Sequence, residues 1–234
     1  MKIKILDFQY EKNGRKIFDQ LNWELDPEKV HFILGGNGVG KTTFYEIITG
    51  LLDYEGIIEN QINSKDILLQ LQGVPMLPTM KGKDLADLLI GSDNGFGEIT
   101  LERIQAYLPL NSHEKLAYLW DSTYGNMSVG ERRWLSIYLF SLLDRELYIF
   151  DEPTAGLDVQ SAKEILKIIE NLSTKKGKKV LLTTHQLTEM DYFNDYTVTF
   201  LHKGKNYFTG SKSKFETIKR TAPSEYEALT NFLN

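Results

Sequence analysis

The first residues that could do chemistry stand in one run, Gly35-Gly36-Asn37-Gly38-Val39-Gly40-Lys41-Thr42. The run fits G-x-x-x-x-G-K-[ST] in full, a spacing that suits a loop wrapped around phosphate. Glycines let successive backbone N–H groups turn toward a single anion. A helix opening at Lys41 adds its unpaired amides and the positive end of its dipole. Lys41 is then placed to reach the outer phosphates of a nucleotide, and the Thr42 hydroxyl to take a place on Mg²⁺. A carboxylate pair, Asp151 and Glu152, follows the apolar run Leu147-Tyr148-Ile149-Phe150. Two carboxylates ending a buried strand need a cation or strong donors. A nucleotide-bound Mg²⁺ supplies that cation. Asp151 suits the metal shell, mostly through water, and Glu152 suits a general base that polarises an attacking water. Further along, Ser128-Val129-Gly130-Glu131 has the S-x-x-E spacing of a capping box. The same helix start, with its hydroxyl and bare glycine backbone, also suits a γ-phosphate.

These residues need elements that end where they stand. Residues 1–25 alternate around a turn at Asn13-Gly14, which predicts antiparallel strands. Val30 to Leu34 is apolar almost throughout, as in a strand buried on both faces. The Gly-rich turn follows, then a helix from about Lys41 to Thr49 that stops at Gly50. Ile67 to Leu71 predicts another short strand, and residues 79–144 a mostly helical insertion. Strands return at Leu147 to Phe150 and at Val180 to Thr184, the second ending at His185, with helical spacing from Ala162 to Leu172 between them. A hairpin over about Thr197 to Phe208, turning at Lys203-Gly204, precedes a polar C-terminal tail. Alternating strands and helices predict an α/β fold with a mainly parallel sheet, an N-terminal antiparallel β subdomain and an inserted helical subdomain. The expected division of the single domain 1–234 is about 1–78 and 146–215 for the core with its β subdomain, about 79–145 for the helical subdomain and 216–234 for the tail. Ligands of such sheets sit beyond the carboxyl ends of the strands. The polar residues ending three of these strands therefore belong to one reading.

Composition agrees. The chain has 234 residues, 41% hydrophobic and 25% charged, the balance of an ordinary globular domain. Its net charge of -5 argues against a nucleic-acid partner, whose phosphates reward dense basic faces. There is no cysteine, so disulfides and thiolate metal sites are excluded. No run approaches the roughly 20 apolar residues that span a bilayer, and the first residues lack the pattern of a signal peptide. Work at a membrane would go through a partner.

The order of these motifs resembles the nucleotide-binding domain of ABC transporters, a P-loop NTPase family, over about residues 3–215. Gly35 to Thr42 matches the Walker A motif and Leu147 to Glu152 matches Walker B with its catalytic glutamate. Met127-Ser128-Val129-Gly130-Glu131 resembles the Leu-Ser-Gly-Gly-Gln signature, with Val129 and Glu131 as departures. Ala155-Gly156-Leu157-Asp158 matches the D-loop, and His185 the switch histidine. Gln72, with Pro78 six residues on, fits the Q-loop glutamine, with Gln70 as a rival. Tyr10 fits the aromatic residue that stacks on adenine, against a plain structural role for one of 12 tyrosines. His31, His113 and His202 match nothing in the pattern.

The resemblance implies ATP and Mg²⁺ as cofactors. It implies catalytic roles for Lys41, Gln72, Glu152 and His185, and nucleotide contacts from Tyr10 and from Gly35, Gly36, Asn37, Gly38, Val39, Gly40, Lys41, Thr42 and Thr43. Thr42, Gln72 and Asp151 are the implied Mg²⁺ residues, while Ser128, Val129, Gly130 and Glu131 act in trans and Asp158 serves the D-loop. It further implies head-to-tail dimerisation with a second copy or a homologous subunit, and a separate membrane permease that holds the chain at the inner face of the cell membrane. The short tail has no room for the regulatory domain of some importer subunits, which leans toward export. The alternative is a soluble ABC ATPase uncoupled from transport, of the cluster-assembly type. Ribosome-linked and repair members carry two cassettes or long coiled coils, and this sequence has neither.

Overall fold

The computed structural model describes residues 3–12, 14–26, 29–71, 76–91, 93 and 96–233. In chain order the strands and helices are β1 (Ile3–Lys12), β2 (Arg15–Leu25), β3 (Val30–Leu34), α1 (Lys41–Ile48), β4 (Glu55–Glu59), β5 (Ile67–Gln70), α2 (Gly82–Ile90), α3 (Leu101–Gln105) and α4 (His113–Asp121). They continue with α5 (Val129–Leu142), β6 (Leu147–Phe150), α6 (Val159–Thr174), β7 (Lys179–Thr183), β8 (Tyr196–His202), β9 (Lys205–Ser211), α7 (Lys212–Thr221) and α8 (Pro223–Thr230).

Two sheets form. The smaller has the order β2-β1-β4 and the larger β5-β6-β7-β3-β8-β9. The small sheet is antiparallel, with Tyr10 opposite Phe18 and Ile5 opposite both Trp23 and Ile58. In the large sheet β5, β6, β7, β3 and β8 run parallel, and β9 closes the edge as an antiparallel hairpin with β8. The expected mainly parallel sheet and antiparallel β subdomain are therefore present. β3 is buried at every position, as a central parallel strand must be. The β8–β9 turn holds Lys203 at φ 47° and Gly204 at φ 74°, the left-handed pair that a two-residue hairpin requires. One apolar core joins both sheets to α1, bringing Phe18, Leu21 and Trp23 of β2 onto Phe44 and Ile47 of the helix and onto Ile33, Ile149 and Leu181 of the large sheet.

The chain packs as two compact units. The first comprises Met1–Leu71, Arg145–Pro153 and Glu170–Asn234; the second comprises Gln72–Asp144 and Thr154–Ile169. The second unit is helical and packs Leu85, Ile90, Ile104, Leu116, Leu119, Trp134 and Tyr138 at 1–2% exposure or less. Residues 154–169, expected with the core, group here for identifiable reasons. Arg133 Nη1 donates to the Ala155 carbonyl at 3.0 Å, and Lys115 Nζ lies 2.6 Å from the Glu164 carboxylate. The expected tail also takes a different form: α7 and α8 fold, and Phe215, Ile218 and Leu229 are buried. A few apolar residues at helical spacing are enough to seat an otherwise polar segment. Among the described residues no helix is long and apolar enough to cross a membrane.

Candidate nucleotide site

The site is built on three adjacent parallel strands of the first unit. β6, β7 and β3 lie side by side and run in one direction, so Asp151, Thr183 and Gly35 leave the sheet along the same edge. The loop from Gly35 to Gly40 is shaped by backbone demands that only glycine meets. Gly38 and Gly40 have φ of 73° and 106°. A Cβ on Gly40 would sit 2.8 Å from the Ile17 side chain, and one on Gly35 would sit 2.7 Å from the Leu201 carbonyl oxygen. Phe44 N donates to the Gly40 carbonyl at 2.8 Å, starting α1, and no side chain caps that helix. Its first amides therefore face the loop as the anion-binding pattern requires.

Lys41 is only 8% exposed and its Nζ donates to the Gly35 and Gly36 carbonyls at 2.6 and 3.2 Å. Burial lowers its pKa, opposed by the negative charges of Glu152 and Asp151. Asp151 shows the converse. Burial foremost raises its pKa, with the Glu152 charge adding to the rise, while hydrogen bonds from Thr183 and Thr42 and the Lys41 charge pull it down. Thr183 Oγ1 donates to Asp151 Oδ1 at 2.7 Å and accepts the Glu152 amide at 2.9 Å. One hydroxyl thus fixes both carboxylate residues. Glu152 holds a left-handed backbone, φ 45°, which a non-glycine residue adopts only under constraint. Its Oε1 lies 3.5 Å from His185 Nδ1. A carboxylate beside an imidazole, next to a cation-seeking carboxylate and a lysine, is an arrangement for activating water near phosphate.

Lys41, Thr42, Asp151, Glu152 and His185 lie near one another: Asp151 interacts with Thr42, Lys41 and Glu152, and Glu152 with His185. Gln72 lies outside the described residues. Its rival Gln70 ends β5, 6% exposed, with its carbonyl accepting the Asp151 amide at 2.9 Å. Tyr10 stands opposite Phe18 and packs, partly buried, against the apolar core. Ser128 and Glu131 form the capping box in full: Glu131 N donates to Ser128 Oγ at 3.2 Å and Ser128 N to Glu131 Oε2 at 2.7 Å. Val129 is 58% exposed beside them. A Cβ on Gly130 would meet nothing closer than 3.5 Å, so its own chain does not demand glycine there. Asp158 Oδ1 accepts the Ser161 amide at 3.0 Å at the start of α6. Hydrogen bonds to Ser161 hold its pKa below the usual carboxylate value. Thr183 is the functional residue that sequence reasoning missed. Its signal was a hydroxyl at the end of the apolar run Val180-Leu181-Leu182, one strand over from Asp151.

A family model described as ABC transporter matches residues 18–155, more than half of the chain. This chain belongs to the ABC transporter family. Among relatives of this ABC chain, a protein of Clostridium tetani assigned as an ABC transporter ATP-binding protein is 29% identical over 206 residues, covering 84% of this chain and 45% of its own length. The chain therefore spans about half of that relative. The energy-coupling factor transporter ATP-binding protein EcfA1 of Thermotoga maritima is 28% identical, covering 92% of this chain and 84% of its own length. The solved ATP-binding subunit of an ABC transporter superposes with a TM-score of 0.79 at 22% identity, over 98% of this chain and 100% of the other. The cassette MJ0796, solved as a dimer in a post-hydrolysis state with ADP and Pi, gives a TM-score of 0.69 at 18% identity, over 89% and 97% of the two chains. Likeness at these identities establishes the fold. The chain has the fold of an ABC cassette, with Gly35 directly following β3 and Asp151 directly following β6.

Proposed function

We propose that this chain is the ATP-hydrolysing motor of an ABC transporter, working as a head-to-tail dimer at the inner face of a membrane on a separate membrane-spanning subunit. The observation that carries the reading is the meeting of Lys41, Asp151, Glu152 and His185 on one edge of the sheet, together with an uncapped helix start at Lys41. The loop amides and Lys41 hold the phosphates. Thr42 and Asp151 fit Mg²⁺: both offer hard oxygen donors, and the buried Asp151 carboxylate carries a raised pKa that a cation would relieve. When bound, Mg²⁺ neutralises phosphate charge and polarises the transferred group. Glu152 takes a proton from the attacking water, and His185, 3.5 Å away, orients that carboxylate and stabilises charge beside it.

Ser128 and Gly130 sit in the other compact unit, on a helix start whose glycine is not required by its own chain. Their place in the reading is to bind the γ-phosphate held by a second copy. Charge-assisted contacts to that phosphate close the pair, and their loss on hydrolysis opens it. The dimeric MJ0796 cassette and the transporter relatives support this reading. The solute and the direction of movement reside in the membrane subunit.

The test mixes two inactive variants. Lys41→Ala damages the loop, and Ser128→Arg damages the surface offered to the partner. A mixed dimer has one doubly damaged site and one intact site. Partial recovery of ATPase activity on mixing, rising with protein concentration, with one nucleotide trapped per dimer, is expected. The absence of both recovery and trapped nucleotide would refute the shared site.

A further inference from the structure

Tyr45 is a completely buried phenol that neither the motifs nor the chemistry proposed above uses. It stands on α1 four residues after Lys41, and residues four apart share a helix face. It belongs to the core formed with Ile33 of β3, Ile149 of β6 and Leu181 of β7. Side chains alternate along a strand, so Thr183, two residues past Leu181, stands on the same face of β7. The phenol interacts there with the Thr183 hydroxyl and with the negative charges of Asp151 and Glu152. Its backbone is held in place, because the Tyr45 carbonyl accepts the Thr49 amide at 3.0 Å and the Thr49 hydroxyl at 2.8 Å.

A buried hydroxyl without an acceptor is costly, and most are paired. The Tyr45 oxygen is fully enclosed, and among the described residues nothing meets it in hydrogen-bonding geometry. Its contact with Thr183 therefore stops short of a formed bond. A hydroxyl has one proton and two lone pairs. Thr183 gives its proton to Asp151 Oδ1 at 2.7 Å and spends one lone pair on the Glu152 amide at 2.9 Å. The second lone pair remains for a further donor. A phenol keeps its proton at neutral pH, so toward a hydroxyl oxygen and two carboxylates it acts as that donor.

We propose that Tyr45 is a positioning residue for ATP hydrolysis, whose hydroxyl closes onto the remaining lone pair of Thr183 and, through it, steadies Asp151 and Glu152 as the water is activated. The proposal rests on the hydrolysis reading given above. Hydrogen bonds in a chain polarise one another, so a proton offered to Thr183 strengthens the donation from Thr183 to Asp151. Tyr45 itself touches neither water nor phosphate in this scheme. A contact completed only as the reaction proceeds raises turnover without tightening the binding of substrate.

Tyr45→Phe keeps the ring and removes the oxygen. Steady-state kinetics of the full chain with Mg-ATP should show kcat lowered about three- to tenfold, the worth of one hydrogen bond, with KM unchanged. Urea unfolding without nucleotide should give a midpoint equal to or above that of wild type, because the hydroxyl lost is an unpaired one. On a Thr183→Val background the phenol has nothing to act through, so Tyr45→Phe should lower kcat no further. Unchanged kcat in Tyr45→Phe, with wild type active, would overturn the proposal and leave the hydrolysis reading standing. A lowered unfolding midpoint would also overturn it, because the oxygen would then serve the fold. So would a loss that adds in full to that of Thr183→Val. Where the doubly changed chain does not fold, the kinetics and midpoint of Tyr45→Phe decide alone. A wild type that does not hydrolyse ATP would overturn the hydrolysis reading, and this proposal with it.

Discussion

Thr183→Val removes one hydroxyl and keeps the shape of a residue that is completely buried. Two bonds go with it. The donation to Asp151 Oδ1 at 2.7 Å is charge-assisted, and such bonds contribute about 1.5–3 kcal/mol. The Glu152 amide, bonded at 2.9 Å, loses its acceptor, and an orphaned enclosed donor costs about 1–3 kcal/mol. Valine returns part of this through its extra apolar burial and its preference for strands. A net loss of about 3 kcal/mol is expected, on the order of a hundredfold in the folding equilibrium. The pH dependence sharpens the test. Burial already raises the Asp151 pKa, and the Thr183 bond opposes that rise. A carboxylate whose folded pKa is raised stabilises the fold below its unfolded pKa, and that contribution is lost as pH rises through the folded value. Removing Thr183 raises the pKa further, so the variant's deficit should be largest near neutrality and shrink on acidification. Urea unfolding of both proteins at pH 7.5 and pH 5 reads this directly. A deficit under about 0.5 kcal/mol, or one independent of pH, would refute the claim that this hydroxyl holds the carboxylate pair.

Glu152→Gln should lower ATP turnover about 10²–10⁴-fold while leaving ATP affinity intact and letting an ATP-bound dimer accumulate in size-exclusion chromatography; normal turnover removes Glu152 as the base. Burial holds the His31 pKa at about 3, beneath its usual 6.5. The stability tied to its neutral form is therefore present above pH 6.5 and lost as pH falls toward 3. Wild type should lose about 1.4 kcal/mol more per pH unit than His31→Gln over that window, and parallel unfolding curves would contradict it. Gly204→Ala forces a side chain onto a φ of 74° and into the Ile17 carbonyl, so a loss of about 2–3 kcal/mol is expected by urea unfolding, and a neutral result would mean that the turn can move.

Residues whose role is set by local spacing were legible in the sequence. The loop from Gly35 to Thr42, the strand ending at Asp151 and the capping box of Ser128 and Glu131 each depend on neighbours within a few positions. Thr183 was not legible, because its partners belong to another strand and are set by sheet order. His31 drew no role from motifs for the same reason. Its Nε2 lies 2.8 Å from Thr199 Oγ1 and accepts from Trp23 Nε1 at 3.1 Å, across β2 and β8. The first C-terminal helix was missed because its apolar residues are sparse: Phe215 and Ile218 are the two large apolar residues of α7, set among lysine, arginine, serine, threonine and glutamate. The grouping of residues 154–169 with the helical unit was hidden because it rests on Arg133 and Lys115, contacts that composition does not announce.

The left-handed backbone of Glu152 sets chemistry against fold stability at a single position. Glycine, and to a lesser extent asparagine, occupies such a conformation more easily than glutamate. The following Pro153 narrows the choices of residue 152 further. A lineage of this protein that kept nucleotide binding but no longer needed turnover would therefore drift toward glycine at 152, gaining stability as it lost its base. Mutational libraries selected for folding alone should enrich the same replacement, and libraries selected for turnover should exclude it. On the proposed reading, the strain at this residue is the cost of holding a carboxylate where the water is activated.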